Sequence, residues 1–205
     1  MNRLGFLVRR TIRDEAALQR LSVPQSELMA ELAGKDVALV GNARALAGSR
    51  HGQAIDAADL VIRINRAPMP HPESHGTRTD WLGLAVALGR EERARIRPGR
   101  ILWMSHKRKR LDWQSANSPG FYLHPLADYA ALKTDLHAPP TTGALLIELI
   151  SRSKMTRLRL YGFDFFASLS LSGSRTADKV PHDFGNEAEW VANLHKNDKR
   201  IMHIR

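Results

Sequence analysis

The chain contains no cysteine. No disulfide is available to it, and nothing in the composition calls for an oxidising compartment. No segment approaches the ~20 consecutive apolar residues that span a bilayer. The apolar run Leu4–Val8 is followed at once by Arg9 and Arg10, too short for a signal-peptide core and without a small-residue cleavage site after it. The chain is therefore read as cytoplasmic. The dinucleotide fingerprint GxGxxG and the phosphate-loop pattern GxxxxGK[ST] are both missing, which disfavours a Rossmann dehydrogenase and a P-loop enzyme. No HxH or HExxH occurs, and His71, His75 and His124 are scattered without metal-ligand spacing, so no metal is expected.

What the chain has in excess is positive charge. Lys plus Arg number 31 against 21 Asp plus Glu, a net charge of +10 over 205 residues. Anionic partners follow: a phosphorylated donor, an acidic glycan, a lipid headgroup or nucleic acid. A hydrophobic fraction of 43% supports a real core and a single domain. We divide the chain into a basic helical segment, 1–30, and one domain, 31–205. The first 21 residues suit a basic amphipathic helix with Leu4, Leu7, Val8, Ile12 and Leu18 among its apolar positions. Such a helix either docks on an anionic membrane surface or packs on its own domain. The run His106–Arg110, between Trp103 and Trp113, suits either a solvated turn or a grip on nucleic acid or anionic glycan.

Two apolar stretches end abruptly in glycine: Asp36–Val40 before Gly41-Asn42, and Leu158–Tyr161 before Gly162. Leu60–Ile64 and Ile101–Met104 read as further strands. Helical patterns at 85–95 and 143–153 lie between them. Strands alternating with helices predict parallel βαβ units in a three-layer α/β/α sandwich with a mostly parallel sheet. Ligands in such folds gather beyond the carboxyl ends of the strands. Pro68–Pro72 and Pro139-Pro140 mark loops. The stretch Ser168–Ser174 suits a lid or an ordinary surface loop.

Candidate site residues follow from that frame. Gly41 lets backbone approach a ligand closely, and Asn42 offers both a donor and an acceptor to a base or ribose. Asn65 ends a second strand, where it either joins Asn42 on one sheet edge or caps the turn before Pro68. Gly76–Asp80 is a polar turn that a structural role explains as well as any other. Thr141 or Thr142 is a natural cap for the apolar helix that begins near Gly143, and a helix N-terminus can also hold a phosphate. His182 stands with Asp183 just before a helix over Glu187–Leu194, where a place in the cap region suits it.

Taken in order and spacing, these blocks resemble the motifs of glycosyltransferase family 29, the sialyltransferases. The large motif is matched from Val40-Gly-Asn42 through Ile55-Asp-Ala-Ala-Asp-Leu-Val-Ile-Arg-Ile-Asn-Arg-Ala-Pro68. The small motif is matched at Pro140–Gly143 and Tyr161–Phe163, and the very-small motif at His182 and Glu187. The resemblance implies a GT-A-like variant fold, a cytidine-monophosphate donor and inversion at the anomeric carbon. It implies further that Gly41, Asn42, Asn65, Thr141, Thr142, Gly143, Gly162 and Phe163 surround the nucleotide. His182 would take the acceptor's proton, and Glu187 would orient His182 or hold the helix that follows. No cofactor is implied beyond the donor itself. A monophosphate leaving group needs no divalent ion if donors line its oxygens, and no Asp-x-Asp occurs in the chain. Animal members pair a cysteine in the large motif with one in the small; Val37 and Met155 stand here, which fits a reducing cytoplasm and a bacterial-type member. The family's third motif has no clear counterpart, with Ser172, Ser174, Arg175 and Lys179 as candidates for its phosphate-facing role.

The leading expectation is an inverting transferase moving sialic acid or the related Kdo from its cytidine-monophosphate form to a glycan or glycolipid acceptor, at the inner membrane face. Alternatives are a binding protein that keeps the nucleotide pocket without catalysis, and a nucleic-acid-binding module centred on residues 106–113, which is the least favoured.

Overall fold

The structure, a computed structural model, describes residues 1–164 and 182–204. Among these residues seven strands, β1 (Asp36–Val40), β2 (Leu60–Ile64), β3 (Trp81–Leu84), β4 (Arg100–Trp103), β5 (Tyr122–Leu123), β6 (Arg157–Tyr161) and β7 (Ile201–Ile204), form one sheet of order β5-β4-β3-β2-β1-β6-β7. Every neighbouring pair is parallel. Parallel neighbours require crossovers, and ten α-helices among the described residues supply or flank them. These are α1 (Arg3–Thr11), α2 (Glu15–Gln19), α3 (Gln25–Leu32), α4 (Gly52–Asp56), α5 (Pro72–His75), α6 (Arg90–Ile96), α7 (Trp113–Ala116), α8 (Leu126–Asp135), α9 (Thr142–Ser151) and α10 (Phe184–Asn197).

Side chains alternate across the pleat, so the strands bury apolar groups on both faces. Val37, Leu39, Ile62, Trp81 and Leu102 join α3, α8, α9 and α10 in one cluster. Ala38, Val40 and Val61 meet Ile55 of α4 on the opposite face. On that second face Leu82, Leu84, Ile101 and Trp103 pack with Phe6 of α1, Leu18 of α2 and Ile96 of α6. The result is the expected three-layer sandwich, with a sheet that is wholly parallel among the described residues. Val37 and Met155 lie in the same buried cluster.

Three strands were not read from the sequence. Trp81–Leu84, Tyr122–Leu123 and Ile201–Ile204 pair in the sheet, although none showed a long β-branched run. The helix expected over 85–95 begins only at Arg90, capped by the extended Gly89, whose N–H donates to the Glu92 side chain at 2.7 Å. The single helix expected over the first 21 residues is two. Arg13 adopts a left-handed φ of 58°, and Asp14 then caps α2 through the Ala17 N–H.

The large-motif carboxylates and arginine turn out to build the scaffold. Asp56 accepts from the N–H of Thr77 and of Arg78 and from the Thr77 hydroxyl. Arg63 is buried and donates to the carbonyls of Arg78 and His75 at 2.8 and 2.7 Å; burial lowers its pKa to about 10. The polar turn 76–80 is thus held by the motif that precedes it.

Candidate active site

Strands β2 to β5 run outward on one side of β1, and β6 and β7 lie on the other. The chain reverses its direction of travel across the sheet at β1, where an open parallel sheet leaves a crevice beyond its carboxyl edge. Gly41 and Gly162 meet there. The Gly41 N–H donates to the Tyr161 carbonyl at 2.7 Å, and the Ala43 N–H to the Gly162 carbonyl at 3.2 Å. A methyl group on Gly41 would overlap the Gly162 carbonyl oxygen, and Gly162 itself sits at a φ of 66°. Neither position accepts a side chain without strain.

The two asparagines stitch the adjoining strand ends. Asn42 donates from Nδ2 to the Ile64 carbonyl at 3.3 Å, joining the end of β1 to the end of β2. Asn65, at a φ of 51°, donates its N–H to the Gly83 carbonyl at 2.8 Å, and its Oδ1 accepts from Ala85. Both asparagines therefore end on one sheet edge.

On the opposite bank, Thr141 caps α9, its Oγ1 accepting from the Ala144 N–H at 3.1 Å. The N–H groups of Thr142 and Gly143, in the first turn of α9, meet no acceptor among the described residues. A methyl group at Gly143 would come within 2.6 Å of the Phe163 ring. Gly41, Gly162, Phe163 and Gly143 thus adjoin one another in turn, joining the ends of two strands distant in the chain, β1 and β6, to the start of one helix.

His182 and Glu187 belong to the start of α10, which is laced to the segment before α9. His182 Nδ1 lies 2.7 Å from the Pro139 carbonyl oxygen. A carbonyl only accepts, so Nδ1 carries the hydrogen and the neutral ring keeps its lone pair on Nε2. Asp183, not His182, caps α10 through the Asn186 N–H at 2.9 Å. Glu187 was expected to orient His182 or hold its own helix. It instead accepts from the Thr141 N–H at 2.6 Å and the Thr141 hydroxyl at 2.8 Å, and Pro139 does the orienting. Glu187 is 4% exposed. Burial drives its pKa up to about 7 despite the opposing pull of the two Thr141 hydrogen bonds.

Two contributors were missed in the sequence: the Pro139 carbonyl, which no sequence signal marks, and His203 of β7, whose Nε2 donates to the Phe163 carbonyl. The alternation Ile201-Met-His-Ile204 was the only available sign of the latter. The lid candidate 168–174 and the third-motif candidates Ser172, Ser174, Arg175 and Lys179 lie outside the described residues. Among the described residues, no group of three or more His, Cys, Asp or Glu side chains is placed to hold a metal ion. The basic run 106–110 is divided. Arg108 is buried on Glu15 and on the carbonyls of Ser105 and His124, while Lys107, Lys109 and Arg110 are exposed. Its flanking indoles are committed inward, Trp103 to the core and Trp113 against Phe6, and offer no stacking platform to nucleic acid.

A family model for glycosyltransferase family 29 (sialyltransferase) matches residues 3–97, a little under half of the chain. Two crystal structures share the fold. A mammalian sialyltransferase in complex with Gal-beta-1-3GalNAc-ortho-nitrophenol aligns with a TM-score of 0.63 at 21% identity, covering 95% of this chain and 78% of that one. A second mammalian sialyltransferase structure aligns with a TM-score of 0.58 at 18% identity, covering 88% and 77%. No curated protein sequence matches the chain.

Proposed function

We propose that this chain is a member of glycosyltransferase family 29, the sialyltransferases, whose model matches residues 3–97, and that it moves a 2-keto acid sugar, sialic acid or Kdo, from a cytidine-monophosphate donor to a glycan acceptor with inversion, on a GT-A-like variant fold. The observation that carries this reading is the arrangement at the crevice. Gly41 and Gly162, packed against each other where β1 and β6 end, lie with the Phe163 ring beside the first turn of α9, and His182, tied to the segment before α9, holds Nε2 as an acceptor.

In that reading the cytidine lies over Gly41 and Gly162, where the absence of side chains lets the backbone approach it. Asn42 and Asn65 stand at the neighbouring strand ends to read the base or ribose. The N–H groups of Thr142 and Gly143 face the phosphate, whose charge the α9 dipole favours. Thr141 contributes by capping, since its own N–H and hydroxyl are already given to Glu187. As the acceptor oxygen attacks the anomeric carbon, its proton passes to His182 Nε2, and the Nδ1–H bond to Pro139 steadies the imidazolium that forms. The bond from the anomeric carbon to the phosphate oxygen breaks, and the electron pair leaves with cytidine monophosphate. The phosphate oxygens meet fixed backbone donors, and the leaving group departs without a divalent ion.

Titration with cytidine monophosphate, with and without EDTA, tests the pocket. We expect saturable binding that EDTA does not change; no binding at millimolar ligand would remove the assignment of the donor. The His182→Ala variant is expected to lose transfer by at least about a hundredfold while keeping nucleotide affinity within a few-fold. Retained transfer would take the base role away from His182. Offering the cytidine-monophosphate forms of sialic acid and Kdo side by side identifies the sugar.

A further inference from the structure

We propose that the outer face of α1, with the exposed part of the basic turn beside it, docks this protein on an anionic lipid surface. Met1, Leu4, Val8 and Ile12 are 51%, 71%, 51% and 62% exposed, and they are four of the six exposed large hydrophobics among the described residues. Leu4, Val8 and Ile12 recur every fourth residue and so form one stripe along the helix. This stripe is not the face that holds α1 to the protein. Phe6 does that from the opposite side, fully buried and with its ring 5.4 Å from Trp113. The helix has a core-facing side and still presents a second apolar stripe to solvent, where polar residues would ordinarily stand.

The charges around the stripe identify its occupant. Arg3 and Arg13 are exposed beside it, and α1 contains no acidic residue. Helix α1 packs against α2, α7 and the turn 108–110, and Arg10 donates to the Leu111 carbonyl at 2.7 Å. That contact sets Lys107, Lys109 and Arg110 alongside. The carboxylates beside α1 and the basic turn are already matched, Asp14 by Arg9, Glu15 by Arg108 and Asp112 by Arg93. A second copy of the chain would bring this basic rim against itself in an isologous contact, and nucleic acid would leave the apolar stripe uncovered. An anionic bilayer satisfies both parts, taking the stripe below the headgroups and the cations among the phosphates.

Flotation of the full chain with vesicles tests the proposal without reference to the nucleotide pocket, so a failure of either reading is separate from the other. The protein is expected to float with phosphatidylcholine vesicles containing about 30% phosphatidylglycerol at about 0.1 M salt. Binding should weaken at least about tenfold at 0.5 M salt or with phosphatidylcholine alone. The variant Leu4→Ser/Val8→Ser/Ile12→Ser and, separately, Lys107→Glu/Lys109→Glu should each lose at least about tenfold in partitioning, with an unchanged far-ultraviolet spectrum. No flotation of the native chain, or undiminished flotation of the triple variant, would overturn the proposal. So would a native dimer that the triple variant converts to monomer, which would assign the stripe to a second copy.

Discussion

Glu187 is the residue whose position changed most between sequence and structure. Its spacing from His182 marked it for the site, but spacing does not say which partner a carboxylate takes. The fold brings Thr141 to it from 46 residues away, and Thr141 consumes both carboxylate oxygens. The cap on Thr141 was legible because Ser and Thr before an apolar helix have few other roles. The tautomer of His182 was not, because a backbone carbonyl leaves no mark in a sequence. Burial gives Glu187 a measurable consequence. Its carboxyl has an ordinary value of 4.5 when unfolded and about 7 when folded. Between those values the unfolded chain releases a proton that the folded chain keeps, so this group's contribution is full below 4.5 and lost as pH rises to 7. The loss is on the order of 3 kcal/mol. His124, pushed down to about 4 by burial, acts oppositely over part of the same range, so the comparison must be between variants. Glu187→Gln keeps an acceptor for the Thr141 N–H and has no titration. Urea unfolding should find its stability relative to the native chain rising between pH 5 and pH 8. A difference independent of pH would show that Glu187 is ionised throughout.

At the scale of elements, the strands the sequence marked best were those that end in the site. Asp36–Val40 and Leu60–Ile64 are bounded as expected because glycine or asparagine must follow where the backbone turns tightly beyond the edge. β3, β5 and β7 are short, and their neighbours in the sheet decide them rather than their own residues. The crevice elements also separate a structural glycine from one proposed to face the nucleotide. Gly41→Ala presses a methyl onto the backbone of Gly162, which cannot retreat without breaking the β1–β6 pairing, and should destabilise the fold by about 2 kcal/mol or more. Gly143→Ala meets a ring instead, and the ring can swing into the crevice. We expect this variant to unfold within about 1 kcal/mol of the native chain yet lose most of its affinity for cytidine monophosphate. Phe163→Leu in the same chain should restore part of that affinity if displacement of the ring is the cause. Equal losses in the single and double variants would place the defect in the α9 turn itself.

For the whole molecule, the order of strands was beyond the sequence. Alternating strands and helices implied parallel pairing, and the handedness of crossovers limited the arrangements, but the reversal at β1 arises from how the two halves share one apolar layer. The N-terminal segment shows the same limit. Its pattern fitted docking and packing equally well, because Phe6 and Leu4 are both apolar and only the fold says which one is covered. The structure uses both faces, and the two should separate cleanly in stability measurements. Phe6 is fully buried among Leu18, Trp103 and Leu111 and against Trp113, so Phe6→Ala leaves a cavity that α1 cannot fill while Arg10 ties it to Leu111. A loss of about 3 kcal/mol is expected. Leu4→Ser removes a side chain that is 71% exposed and should change the unfolding free energy by no more than about 0.5 kcal/mol. Chemical denaturation of the two variants in the absence of lipid decides the matter. Comparable losses would mean that the outer stripe already packs against protein, and it would then be unavailable to a membrane; a negligible loss for Phe6→Ala would mean that α1 is held by its polar contacts alone.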